Sequence, residues 1–138
     1  MSATVTPESS LEPPIVLDAA YSERLEALAA TMMRGPAAEL GDRLMREVAR
    51  ATVLPSAEMP GDVVNIGSEV SFRDEVTGRE QTVTIVLPAD ANIAAGRVSV
   101  LTPIGAALIG LKAGASIGWE TREGEERRLT VLGVARPG

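Results

Sequence analysis

The sequence predicts an α+β protein: a short antiparallel helical hairpin, then a mostly antiparallel sheet domain of about five strands with one short helix. Three observations carry that prediction. Apolar residues recur at spacings of three and four between Asp18 and Thr52, a proline-containing stretch interrupts the chain at 53–61, and from residue 62 onward the apolar period is two. The 138 residues suffice for one domain, or one small domain plus an extension.

Residues 1–14 carry Ser, Thr, Glu and three Pro with little to bury, and read as a disordered lead-in. Residues 15–52 read as the hairpin. Asp18 is a suitable N-cap, and Tyr21, Leu25, Leu28 and Met32 form one apolar stripe. Gly35-Pro36 supplies a stop and a restart, Gly as a left-handed C-cap and Pro at the first position of the next helix. Leu40, Leu44, Val48 and Ala51 make the second stripe, running to about Thr52, with Gly41 a mild flaw. From periodicity alone, such a hairpin either packs on the rest of the chain or projects from it. The stretch 53–61 holds two prolines, cannot continue the helix, and reads as a linker.

Residues 62–138 read as the sheet domain. Asp62–Ile66 is apolar enough for a short strand, and in 68–74 Val70 and Phe72 alternate with Glu69, Ser71 and Arg73. Glu75-Val76-Thr77-Gly78 reads as a hairpin turn with Gly78 at the special position, leading to a strand over 79–87 with Val83, Ile85 and Leu87 inward. A loop over 88–96 precedes a strand at 97–101 and a short helix at 103–109, with Pro at its first turn and Gly110 at its end. Two last strands, 116–121 and 127–134, pair across Arg122-Glu123-Gly124-Glu125.

Composition excludes several functions. With no His and no Cys, the chain has no imidazole acid/base, no thiolate nucleophile, no disulfide and no Cys/His metal site. The 19 acidic and 13 basic residues give a net charge of −6, opposite to that of a phosphate-backbone binder. One Trp, one Tyr and one Phe cannot supply a base-stacking platform for single strands. The N-terminus has neither the basic start nor the apolar run of a secretory signal, and residues 98–119 are too broken by Pro, Gly and Lys for a membrane helix. A cytoplasmic protein is expected.

Candidate sites are few. Glu39 and Asp42 lie three apart near the start of the second helix, where the helix dipole favours them more than a metal ion would. Lys112, the one lysine, sits in a glycine-flanked turn and reads as a surface residue. The glycines 105, 110 and 114 match neither a P-loop nor a dinucleotide fingerprint. Thr102-Pro103-Ile104, followed by Leu108, is either core or an exposed docking patch, and periodicity does not separate the two.

The run SEVSFRDEVTGREQTVTIVLPADANIAAGRVSVLTPIGAALIGLKAGASIGWE, residues 68–120, closely resembles the C-terminal domain of the Gre transcription factor family. The resemblance is greatest to the branch named for regulation of nucleoside diphosphate kinase. It rests on the strand–turn–strand VSFRDEVTGREQTVTIVLP, the SVLTPIGAALIGLKAG block and the SIGWE that follows. It implies an FKBP-like fold for the sheet domain and docking on RNA polymerase near the rim of the secondary channel, with Thr102, Pro103, Ile104 and Leu108 as candidate docking residues. The short hairpin matches that branch by layout; the family's cleavage factors carry a longer coiled coil with two adjacent acidic residues at its tip, which help hold a catalytic Mg²⁺ in the polymerase. Here the tip is Arg34-Gly35-Pro36, with Glu39 and Asp42 one turn into the second helix and no acidic pair. A helix of about 15 residues also spans only roughly 22 Å. The resemblance therefore implies a non-enzymatic, cofactor-free regulator that binds polymerase and competes with Gre-type factors. The alternatives are a transcript-cleavage factor using Glu39 and Asp42, or a module acting on nucleoside diphosphate kinase, a link that the branch's name can also record indirectly. Prolyl isomerase activity does not follow from the fold, because Phe72 and Trp119 are the only aromatics available to line such a site.

Overall fold

The computed structural model describes residues 13–121 and 123–136, so the expected disordered lead-in lies, up to residue 12, outside the described residues. Strand β1 (Val16–Asp18) leads directly into helix α1 (Ala19–Met32), and helix α2 (Ala38–Arg50) returns antiparallel to it before strand β2 (Thr52–Leu54). The Asp18 carboxylate accepts a hydrogen bond from the Ala20 amide at 2.8 Å and caps α1 as its sequence position predicts. The turn between the helices differs from the expectation. Met33, in ordinary right-handed geometry, caps α1, Gly35 does not take a positive φ, and Pro36 stays in the turn, two residues ahead of α2. Ala37 is the N-cap of α2 and offers no side-chain acceptor.

The second helix stops short of Thr52 because Ala51 turns extended and the β-branched Thr52 and Val53 pair with β1 in parallel, Val16 opposite Thr52 and Asp18 opposite Leu54. This small sheet ties the beginning and the end of the hairpin together. Gly41 is also more than a flaw in the helix. A Cβ there would lie 2.8 Å from both the Met32 Cβ and the Met33 amide nitrogen, so its absence sets how closely the two helices approach.

The main sheet has the order β5-β4-β3-β7-β6, formed by β3 (Glu69–Asp74), β4 (Glu80–Val86), β5 (Arg97–Ser99), β6 (Ser116–Glu120) and β7 (Glu126–Ala135). All neighbours are antiparallel except β4 and β5, which the 88–96 loop connects in parallel through two 3₁₀ turns. Gly78 takes the left-handed conformation (φ 78°) expected in the β3–β4 turn. Asp62–Ile66 does not become a strand. Only Val63 forms a bridge, to Lys112, because Asn65 and Ser68 fold the chain back: the Asn65 amide bonds the Ser68 hydroxyl and the Ile66 amide bonds the Asn65 side chain. Between Ser71 and Phe72 the register with β7 shifts by one, which leaves Leu132 outside the ladder and 40% exposed.

Helix α3 (Pro103–Leu108) lies over the inner face of the sheet. Its seat depends on Gly105, where a Cβ would collide with the Ser99 carbonyl oxygen and lie 2.9 Å from the Val100 Cα. Val70, Phe72, Ile85, Ile117, Leu129 and Val131 from the strands, and Ala106, Ala107 and Leu108 from α3, form one continuous core. Leu25, Ala29 and Leu44 of the hairpin belong to the same core. The hairpin therefore packs on the sheet. Among the described residues, no helix is long and apolar enough to cross a membrane.

Candidate functional site

A groove of about 1190 Å³ runs between the hairpin tip and one end of the sheet. One wall is the tip and first turns of α2, with Met32, Met33, Pro36, Glu39, Asp42, Arg43 and Arg46. The other is Leu101 and Pro103 at the start of α3, with Glu120, Thr121 and Gly124 at the β6–β7 turn. Pro36, Glu39 and Asp42 of the tip candidates and Pro103 of the docking candidates, far apart in sequence, thus face one space, a convergence that helical and strand periodicity cannot reveal.

The individual positions are unequal. The Thr102 hydroxyl accepts from the Gly105 amide at 3.1 Å and donates to the Ser99 carbonyl at 2.8 Å, so it caps α3 and presents Pro103 at the helix's first position. Ile104 is half-buried against the core. Leu108 has no exposed surface, and its side chain fills the core beneath α3 rather than facing a partner. Arg34, Gly35 and Pro36 are exposed at the tip. Glu39 and Asp42 are exposed on the first turn of α2, and Asp42 pairs with Arg46 at 3.1 Å, one turn along the same helix. Among the described residues no three carboxylates converge in a way that would hold a metal ion.

Three long-range polar contacts join segments distant in sequence, and local sequence signals none of the long-range pairings. Arg43 donates to the Gly118 carbonyl at 2.9 Å, fastening α2 to strand β6 beside the groove. Asp74, buried at the end of β3, accepts from Arg127 at 2.7 Å and from the amides of Val76 and Thr77. Burial works against that charge, but the Arg127 hydrogen bond and the two amides outweigh it and hold the carboxyl below its ordinary value. Asp18 behaves alike at the other end of the molecule. Its burial is overcome by hydrogen bonds from Ser56 at 2.5 Å, Asn65 at 2.9 Å and the Ala20 amide, and its pKa too is lowered. Only the N-cap part of this role is visible in sequence.

The groove offers apolar surface, from Met32, Met33, Leu101 and Pro103, rimmed by charged side chains. Comparison with known proteins gives the family. Residues 59–136 match the family described as transcription elongation factor, GreA/GreB, C-term. The regulator of nucleoside diphosphate kinase of Escherichia coli K12 is 37% identical over 123 residues, which cover 87% of this chain and 88% of that protein. The transcription elongation factor GreA of Rhodospirillum rubrum is 46% identical over 68 residues, 49% of this chain and 43% of that protein. Among solved structures, the prokaryotic transcription elongation factor GreA/GreB from Nitrosomonas europaea superimposes with a TM-score of 0.69 at 35% identity, covering 90% of this chain and 99% of that one. With the Gre-like arrangement of helical hairpin and curled sheet in place, the chain belongs to the GreA/GreB transcription elongation factor family.

Proposed function

We propose that this protein is a non-enzymatic regulator that binds RNA polymerase near the secondary channel and acts by occupying the surface that Gre-type elongation factors use. The observation that carries the reading is the hairpin tip. It is built from Met33, Arg34, Gly35, Pro36 and Ala37, with no carboxylate among them, and the next acidic residues along the chain, Glu39 and Asp42, belong to α2. With 14 residues α1 extends about 21 Å at 1.5 Å per residue, and part of that length is spent against the protein's own sheet. A short tip without paired carboxylates can occupy a site and exclude a competitor, but cannot complete a metal centre held by the polymerase.

The docking surface in this reading is Pro103 and Ile104, presented by the Thr102 cap, together with the groove wall at Leu101. The net charge of −6 is compatible with it, because the partner is a protein surface rather than bare nucleic acid. Binding of this kind belongs in the cytoplasm. The test has two arms. Tagged protein recovers RNA polymerase from lysate, GreA competes for it, and the Pro103→Ala/Ile104→Ala double variant loses it. Added with Mg²⁺ to a backtracked polymerase complex, the protein leaves RNA length unchanged; shortening that disappears in Glu39→Ala overturns the reading in favour of a cleavage factor. The name of the E. coli relative favours a second reading, a direct contact with nucleoside diphosphate kinase. Recovery of that kinase in preference to polymerase, from the same lysate, supports the second reading against the first.

A further inference from the structure

The base of the hairpin contains a buried carboxylate that a simple helix cap does not require. Asp18 is only 5% exposed, and its two oxygens do different work. Oδ1 accepts from the Ala20 amide and the Ser56 hydroxyl, whereas Oδ2 accepts from Asn65 Nδ2 at 2.9 Å. Serine or asparagine at position 18 would cap α1 about as well as aspartate. The second oxygen therefore serves another purpose. It reaches Asn65, 47 residues away in the loop that leads into β3, and so joins the hairpin to the sheet.

Asn65 has no choice of orientation. Its Oδ1 accepts from the Ile66 amide at 2.8 Å, and its own amide is held by the Ser68 hydroxyl at 2.9 Å, so the side chain must point its NH₂ at Asp18. An asparagine at position 18 could keep both bonds on its oxygen, but its NH₂ would then meet the NH₂ of Asn65. The pair accepts one polarity only. One other side-chain hydrogen bond fastens a hairpin helix to the sheet, from Arg43 to the Gly118 carbonyl at 2.9 Å, and the apolar contacts through Leu25, Ala29 and Leu44 fix position far better than direction.

We infer that the Asp18–Asn65 hydrogen bond is a positioning pair that sets the direction of the hairpin relative to the sheet, and with it where the tip at residues 33–37 can reach. This deepens the proposed function and rests on it for its biological meaning, since a polymerase-occupying hairpin works only if its tip is aimed. The geometric claim itself needs no partner.

The test exploits the absence of cysteine from the chain. Spin labels on Thr31→Cys, near the tip, and Val76→Cys, in the exposed β3–β4 turn, report the tip-to-sheet distance in the free protein by pulsed electron resonance. Asp18→Asn and Asn65→Asp, each alone, shift and broaden that distribution, the first by opposing two donors and the second by opposing two carboxylates. The exchange Asp18→Asn/Asn65→Asp restores a donor facing an acceptor, keeps the α1 cap and the Ile66 bond, and returns the distribution to that of the parent. An unchanged distribution in both single variants overturns the inference, as does an exchange variant no better than either single one. If Asp18→Asn does not fold, Asn65→Asp carries the test with the α1 cap intact. Failure of polymerase binding in the parent protein, with the distances responding as described, removes the proposed function and leaves the positioning pair standing.

Discussion

The sheet and the hairpin share a core but are held in different ways. In the sheet, consecutive residues of β3, β4 and β7 are fixed by ladders whose register is repeated at position after position. A one-residue slip would turn every inward side chain outward, so many contacts specify the same answer. The hairpin contributes Leu25, Ala29 and Leu44 to the core, crosses itself closely at Gly41, and is tied to the sheet by a few discrete polar bonds at Asp18 and Arg43. Redundant register makes one region rigid, whereas sparse fastening leaves the other adjustable by single substitutions.

Close backbone approaches test that contrast most severely. Gly105→Ala drives a methyl group into the Ser99 carbonyl and the Val100 backbone, neither of which can rotate away, and α3 must lift from the sheet. We expect a loss above about 3 kcal/mol, a large part of the total stability of an ordinary domain, seen as unfolding in urea well below the parent midpoint. Gly41→Ala meets the Met32 Cβ and the Met33 amide at 2.8 Å, but two helices can separate slightly, and alanine recovers up to about 1 kcal/mol of helix propensity. Its net cost is about 1–2 kcal/mol. Equal midpoint shifts for the two variants would remove the distinction between the regions.

Acid separates them more gently. Asp74 and Asp18 both have pKa values below the ordinary 3.8 in the folded protein. The stability they contribute is therefore complete above that value and is lost as pH falls through the lower folded values. Urea midpoints measured from pH 7 downward stay level and then fall below about pH 4. Asp74→Asn is less stable than the parent at pH 7 and shows a shallower acid decline. Asp18→Asn acts in the same sense but reports on the joint between hairpin and sheet. A decline that begins near pH 6 would point to groups other than these two.

These differences also explain what the sequence discloses. The alternation of Val70 and Phe72 with Glu69, Ser71 and Arg73 marks β3 because a half-buried strand has to alternate, and Gly78 marks its turn because the left-handed backbone there favours glycine. Asp18 announces the start of α1 for a similarly local reason. The parallel pairing of Val16–Asp18 with Thr52–Leu54 is hidden, since three residues carry no period and the partners lie beyond a whole hairpin. Gly41 reads as a weakness until the facing helix is present. Asp62–Ile66 looks like a strand by composition, and the side chains of Asn65 and Ser68, bonded to the local backbone, prevent it. The groove is legible only as two unconnected lists of residues until packing brings the tip of the hairpin to Pro103.

The smallest expected effect sits at the hairpin tip. Arg46 and Asp42 form an ion pair whose side chains are 62% and 56% exposed, respectively. At that exposure, water screens the attraction and holding two long side chains in place costs entropy, so Asp42→Ala changes stability by no more than about 0.5 kcal/mol. In a domain of this size that is a midpoint shift of about 1–3 °C in a thermal melt. Near-silence in folding is what makes the position useful. If Asp42→Ala melts with the parent yet weakens polymerase recovery, the lost interaction is a contact with the partner. If recovery is also unchanged, the acidic side chains of α2 are spectators, and the exposed Met33 and Arg34 are the part of the tip that meets the polymerase.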